Sequence, residues 1–334
     1  MNPFKQSGQI LPIASLNSVY VDNVLADQLF RPSLIVAEII ENKDELGLSY
    51  IEDSQKLSHM FNDLLNSDLD SIRRKATQIA EMFGRRLAKF LGTLFKPSEL
   101  SVSNRLNWTE EHWNFWKTID NIYLVGGLTS PILTQIFYNE VEKYFNEQEI
   151  KNKHITFIEG SSNLGTHGLA SIVENGDYLL FDFGQTNIKR GRHYKKEGKV
   201  VIDTILPSIS SDFLFYKTKN VKEVEAIAHK LHNYIVEAIV KTYKQVAFTG
   251  ENIYMSIANY VFDGKIYSQR GGYGKLSYIA ENYEDYLNKE LTKELNKEIT
   301  VKLFHDTSAM ALMFKDQANT AVISLGTAFG IAFP

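Results

Sequence analysis

Asp182-Phe183-Gly184-Gln185-Thr186-Asn187-Ile188-Lys189 is the stretch that decides the fold. Ahead of it, Tyr178-Leu179-Leu180-Phe181 is an apolar run that reads as a buried strand. Behind it, Lys189 to Tyr194 and Lys199 to Ile205 read as two more strands, joined by a turn at Lys195-Lys196-Glu197-Gly198. An Asp ending a strand, followed by a small turn with a hydroxyl, suits an anionic ligand held through a metal. Backbone N–H groups reach phosphate oxygens where Gly184 leaves room, and the Asp182 carboxylate holds Mg2+ through its water shell. An ordinary hairpin with a glycine reads the same way locally, so the neighbouring motifs decide.

Composition narrows the class. The chain has 334 residues, 44% hydrophobic and 23% charged, enough for two domains with their own cores. A net charge of −4 gives no strong attraction to nucleic acid or anionic membranes, so neither is expected as a partner. With no cysteine there is no disulfide, thiolate metal site or thiol nucleophile. Met1 to Gln6 lacks a charged-then-apolar signal pattern, and the longest apolar stretch, Ala321 to Phe333, contains two glycines and is too short to span a bilayer as a helix. A cytoplasmic location is the expectation.

Along the chain, Ile72, Ala76, Ile79, Phe83, Leu87, Phe90, Leu91 and Leu94 predict a helix over 70–95 with one buried face. Trp108, Trp113 and Trp116 read as a packed loop and helix start rather than a sugar-stacking platform. Asn121 to Gly127 is a strand entering a glycine turn, Pro131 opens a helix to about Phe145, and Ile155 to Ile158 is another short strand. This rhythm marks a parallel sheet. Val221 to Lys244 is a long helix, Ile253 to Ala258 a strand, Glu281 to Asn296 a helix, Thr300 to Phe304 a strand and Ser308 to Asp316 a helix. Thr320 to Phe333 is a strand with a glycine break.

Three more sites lie at ends of these elements. Asp306, in His305-Asp306-Thr307-Ser308-Ala309, either accepts a proton from a substrate hydroxyl or caps the following helix. Gly326-Thr327-Ala328-Phe329-Gly330 is a turn over a phosphate or a plain bulge. Gly126-Gly127 admits a base or ribose close to the backbone, or only turns the strand into the helix.

Taken together, these motifs resemble the ROK family of sugar kinases, within the actin-like, RNase H-like ATPases. Residues 182–189 look like the family's first phosphate motif, Asp-x-Gly-Gly-Thr-x-Ile-Lys, with its β-hairpin. LFHDTSAMAL at 303–312 resembles the Asn-Asp-Ala-Asn-Ala segment of the catalytic base, VISLGTAFG at 322–330 the second phosphate motif, and YLVGGLTSP at 123–131 the adenosine motif. Ile253 to Ala258 followed by Asp263-Gly264-Lys265-Ile266 is similar to the approach to the substrate loop, and NLGTHGLASI at 163–172 to the family's closing helix. The order is rotated: the adenosine-like motif and closing helix come first, and the chain finishes on the second phosphate motif. That order resembles a circular permutation.

The resemblance implies an α/β fold of two RNase H-like (actin-like ATPase) lobes with a central cleft and a circularly permuted motif order. The larger lobe would hold 1–163 plus 320–334, the smaller 164–319. It implies ATP and Mg2+ as cofactors and a small-molecule sugar as substrate, and it allows a homodimer. Asp306 would be the catalytic base, with His305 beside it at the sugar. Asp182 would organise Mg2+. Gly184, Gln185, Thr186, Lys189, Gly326, Thr327, Gly126 and Gly127 would hold the nucleotide. The alternative is a non-catalytic nucleotide- or sugar-binding relative that serves as a sensor or assembly module.

Departures from the pattern are specific. Gln185 and Ala328 each stand where the family has a glycine, and His305 stands where it has Asn. No Glu-x-x-His segment is found near the N-terminus, where the rotated order would place it, and the Cys-rich zinc loop is absent. His229 and His232, three apart on a helix, could share a metal, but an exposed helical face is the simpler reading. Arg190, Arg192, Lys195, Lys196 and Lys199 read as a solvated hairpin, and Arg270-Gly271-Gly272-Tyr273-Gly274 as a flexible loop that is either a lid or only a connection.

Overall fold

The computed structural model describes residues 1–49, 54–128, 130–216, 218, 220–267 and 271–334. Thr129 of the adenosine-like motif and Arg270 of the glycine-rich loop lie outside the described residues. In chain order the main elements are helix α1 (Asp70–Phe95), strand β1 (Asn121–Gly126), α2 (Pro131–Glu147), β2 (His154–Phe157) and α3 (Leu164–Ile172). Then come β3 (Gly176–Phe183), β4 (Asn187–Lys196), β5 (Lys199–Ser210), α4 (Val221–Gln245), β6 (Asn252–Ile257) and α5 (Tyr283–Leu295). The chain finishes with β7 (Thr300–His305), α6 (Asp306–Ala311), β8 (Thr320–Leu325) and β9 (Phe329–Ala332). Among the described residues no helix is long and apolar enough to cross a membrane.

Two compact α/β units result. The first holds Met1–Pro3, Ile13–Ser162 and Gln317–Ile331, and the second Phe4–Pro12, Asn163–Asp316 and Ala332–Pro334. Both chain ends thus add residues to the second unit, where Phe4 stacks on Phe333 with ring centroids 5.5 Å apart.

The first unit is built on a sheet of order β9-β8-β1-β2, with β8, β1 and β2 parallel. Of the last two strands, β8 pairs with Asn121–Gly126 and β9 with β8, so both lie outside the sheet of Tyr178. Helix α1 buries Ala76, Ile79, Phe83, Leu87, Phe90 and Leu94, the stripe expected from its periodicity. Phe90 stacks on Phe329 at 4.5 Å. Small residues let α2 approach α1, since a Cβ on Gly92 would come within 2.6 Å of the Tyr144 ring. Trp108, Trp113 and Trp116 are all buried, which makes them packing residues.

The second unit has the sheet order β7-β6-β3-β4-β5. Strands β3, β4 and β5 form an antiparallel meander, while β6 and β7 run parallel to β3. Counted along the chain this is 5-4-1-2-3, the RNase H-like order with its two parallel strands reached by helical crossovers. Alternation along β3 explains why it holds a site. Leu179, Phe181 and Phe183 face the core formed with α4 and α5. Tyr178 and Leu180 face the smaller core under α3 and α6, and Asp182 has the same parity as these two.

Two surface readings are corrected. The hairpin arginines are not solvated: Arg190 is buried and donates to Thr242 Oγ1 at 2.8 Å and Gln245 Oε1 at 3.0 Å. Arg192 pairs with both oxygens of Asp177 at 2.9 and 2.8 Å, a bidentate bond that clamps β4 to β3. Likewise His229 and His232 share no exposed face. His229 is exposed, whereas His232 is buried with Nδ1 3.1 Å from the Tyr283 hydroxyl.

Candidate functional site

Asp182, Ser256 and Asp306 stand at the C-terminal ends of the three parallel strands of the second unit. Ser256 of β6 is in register with Asp182 of β3, and Ile257 is in register with His305 of β7. In sheets of this kind ligands collect at the carboxyl ends of the strands.

The Asp182 side chain is only 1% exposed, although it stands at a strand end. Oδ1 accepts from Ser256 Oγ at 2.9 Å and Oδ2 from Lys189 Nζ at 3.1 Å. Helix α3 closes over it with Gly165, where a Cβ would sit 2.8 Å from the Asp182 carboxyl carbon. The following turn is held just as firmly. Gly184 N donates to Asn187 O, and the Gly184 carbonyl accepts from Ser211 Oγ at 2.7 Å and the Tyr273 hydroxyl at 3.0 Å. Tyr273 belongs to a 3₁₀ segment, Tyr273–Tyr278, whose buried Lys275 donates to the carbonyls of Phe213, Leu214 and Gly272 at 2.7–2.8 Å. Described residues 271–278 are therefore packed structure and not a free loop. Gln185 is half-buried and Thr186 exposed, so the turn offers its hydroxyl to solvent while its backbone is fixed.

At the end of β7 the roles divide differently from the sequence reading. The helix cap is His305, whose Nδ1 accepts from Ser308 N at 3.3 Å. Asp306 is the first helical residue. Its Oδ1 accepts from Thr307 N at 2.6 Å and Thr307 Oγ1 at 3.2 Å. Burial pushes the His305 imidazole down to about 3, so the ring is neutral. With Nδ1 accepting, the ring proton sits on Nε2, which faces Asp306 Oδ1 at 3.2 Å. Tyr260 stacks on the other side of the ring at 4.7 Å and 8°. Burial, then the charge of Asp182, push the Asp306 carboxyl up to about 7, against the lowering pull of Thr307 and Lys189. Its side chain keeps 20% of its exposure, so a ligand can reach it. The second unit thus brings Asp182, Gly184, Gln185, Thr186, Lys189, His305 and Asp306 to one end of one sheet. Ser256, Tyr273 and Gly165 were missed. The only sequence signal for Ser256 is a polar residue within an apolar strand.

Gly126, Gly127, Gly326 and Thr327 form a separate group in the first unit. Gly126 and Leu325 are in register at the ends of β1 and β8, which puts both glycine turns at neighbouring carboxyl ends. Gly126 has φ +113°, and a Cβ there would lie 2.9 Å from Leu325 O, so only glycine fits. A Cβ on Gly127 would meet nothing within 4 Å, and Thr327 is exposed.

No group of three or more His, Cys, Asp or Glu side chains able to hold a metal occurs among the described residues. Mg2+ does not require one, since it takes one or two carboxylates and completes its shell with water and phosphate oxygens. Asp182 has the carboxylate for that mode, and an ion at its Oδ2 would have to take the place that the Lys189 ammonium holds at 3.1 Å.

No protein-family model matches the chain, and no curated protein does. Solved structures give distant likenesses. An Aquifex aeolicus member of the Ppx/GppA family is 11% identical with a TM-score of 0.20, over 38% of this chain and only 35% of its own. A Bacteroides thetaiotaomicron protein with an actin-like ATPase fold and unknown function is 10% identical over 69% of this chain and 81% of its own, TM-score 0.27. The Aquifex aeolicus PPX-GPPA enzyme is 12% identical over 73% and 83%, TM-score 0.29. The fold itself is α/β in two units, and the strand order of the second is RNase H-like.

Proposed function

We propose that this chain is an ATP- and Mg2+-dependent kinase that phosphorylates a sugar hydroxyl, built as a circularly permuted relative of the ROK kinases. The observation that carries the reading is the Asp306 carboxyl. It is held near neutrality by burial and by the charge of Asp182, and it remains open to a ligand. A proton acceptor poised near the working pH is what attack by an alcohol requires.

In the proposed step the acceptor hydroxyl gives its proton to Asp306 as its oxygen bonds to the γ-phosphorus of ATP, and the bond to the β–γ bridging oxygen breaks to release ADP. The His305 Nε2–H and the Thr307 N–H hold Oδ1 and leave Oδ2 for the proton. Asp182 would hold Mg2+, which when bound offsets phosphate charge. The N–H groups of the 184–186 turn and the Lys189 ammonium add fixed positive potential. Gly126 and Gly326 would admit the nucleotide to the first unit. The permutation is the reading of strand order: with β8 and β9 counted first, β9-β8-β1-β2 is 2-1-3-4, the second unit's order read from its other edge (3-2-1-4-5) with the third strand left out.

Phosphorus NMR of Mg-ATP with the protein and a mixture of hexoses, amino sugars and N-acetylated sugars tests this. A new phosphomonoester resonance that grows with ADP is expected. Inorganic phosphate as the sole product would make the chain a phosphohydrolase and remove the sugar acceptor.

A further inference from the structure

Lys275 is only 1% exposed, and the proposed chemistry gives it no part. A buried ammonium is costly unless its donors are met. Here all three N–H bonds have an acceptor: the Phe213 carbonyl at 2.8 Å and those of Leu214 and Gly272 at 2.7 Å. The Tyr216 ring lies 4.7 Å from the same nitrogen. Burial lowers the ammonium to about 8, so at neutral pH it is charged and keeps its three donors.

Those carbonyls tie two distant stretches of chain together. Leu214 lies so close on Gly272 that a Cβ there would fall 2.8 Å from the Leu214 Cβ. The Phe213 backbone is left-handed, with φ +62°, which a bulky side chain adopts only where the surroundings hold it. Lys275 grips the carbonyls of Phe213 and of the residue after it, and supplies that hold.

Both stretches also reach the 184–186 turn. From one side, Ser211 N donates to Thr186 O at 3.0 Å and Ser211 Oγ to Gly184 O at 2.7 Å. From the other, the Tyr273 hydroxyl donates to the same Gly184 oxygen at 3.0 Å. Two struts thus converge on one carbonyl, and Lys275 joins them behind it. The peptide between Gly184 and Gln185 is planar and trans, so fixing its oxygen fixes the opposite direction of the Gln185 N–H.

We propose that Lys275 is a positioning residue for the 184–186 turn: by joining 211–214 to 272–275 it fixes the Gly184 carbonyl and so aims the Gln185 N–H at a phosphate oxygen. The link to phosphate rests on the proposed function, whereas the hold on the turn stands apart from it.

Amide hydrogen exchange on the full chain, read residue by residue by NMR, tests the hold without turnover. In the wild type the Gly184 and Ser211 amides, which donate to Asn187 O and Thr186 O, should exchange at least about tenfold more slowly than in an unfolded peptide. Lys275→Met is close in length but has no donors. It should speed exchange at Gly184 and Ser211 by at least about tenfold, the scale of one or two lost hydrogen bonds, and at Leu179 and Phe181 of β3 by less. Calorimetry should show Mg-ATP bound about tenfold more weakly by the same variant, again on the scale of those bonds. Equal acceleration in the turn and in β3 is what a merely structural lysine gives, and it overturns the proposal. So do unprotected Gly184 and Ser211 amides in the wild type, a result that stands even if Lys275→Met does not fold. A loosened turn with unchanged Mg-ATP affinity overturns the link to phosphate. A wild type that binds no Mg-ATP removes the kinase reading instead, and the exchange rates still decide the role of Lys275.

Discussion

At the scale of single residues, two carboxylates, Asp182 and Asp306, share one sheet end. Asp306→Asn keeps the shape of the side chain and, because His305 is the helix cap, leaves the cap untouched. Turnover should fall by about a hundredfold or more, with nucleotide affinity nearly unchanged, in steady-state kinetics beside calorimetry. The same carboxyl carries a stability signature. Its pKa in the folded chain is raised to about 7, above the usual Asp range, so the native state holds its proton longer than the unfolded state does. Its favourable contribution is complete below the unfolded pKa and is lost as pH rises towards 7. Asp306→Asn should therefore match wild type in urea unfolding near pH 4 and be the more stable protein at pH 8. A variant less stable at both values would mean that the carboxylate helps the fold. Asp182→Asn keeps the Ser256 bond but loses the Lys189 ion pair, and should weaken Mg-ATP binding while Asp306, relieved of a neighbouring charge, titrates lower. Both aspartates stand out in the sequence as carboxylates at the ends of predicted strands. That Asp182 is buried was not legible, because Gly165 and Ser256 reach it from distant parts of the chain.

At the scale of elements, helix α3 has the tightest fit. A Cβ on Gly168 would fall 1.8 Å from the Ala309 carbonyl oxygen, in backbone that cannot swing away. Gly168→Ala should cost about 1–3 kcal/mol or more in denaturant unfolding, as overpacking does. An Ala tolerated there would mean that α3 and α6 do not touch. Apolar periodicity made the long elements readable: α1 and α4 were found to within a residue or so from their stripes, and β3 from its unbroken run. The misread parts are those where polar side chains pair across elements. Arg190 and Arg192 look like surface charge until Thr242, Gln245 and Asp177 arrive beside them. Gly271 to Tyr273 looks like a loose loop until Lys275 and Tyr273 spend their polar groups on backbone carbonyls. Pairing of this kind has no period in a sequence.

At the scale of the whole molecule, the first unit takes strands from distant parts of the chain. Strand β8 lies in the middle of the first unit's sheet, between β9 and β1, although about two hundred residues separate it from β1 along the chain. A chain cut after Asp316 loses that central strand, and limited proteolysis should find the first unit's α1 and β1 opened along with it. A protected, cooperatively folding truncation would show that β8 is dispensable. In the proposed function Asp306 is a general base with a near-neutral carboxyl. The most direct measurement is the pH profile of sugar-dependent ADP release from Mg-ATP, for wild type and Asp306→Asn together. The expected wild-type kcat/KM rises with pH through about 7, and the variant is at least about a hundredfold slower without that rise. Equal rates in the two proteins, or ATP bound but never turned over with any sugar, would contradict it and leave a nucleotide-binding sensor in place of an enzyme.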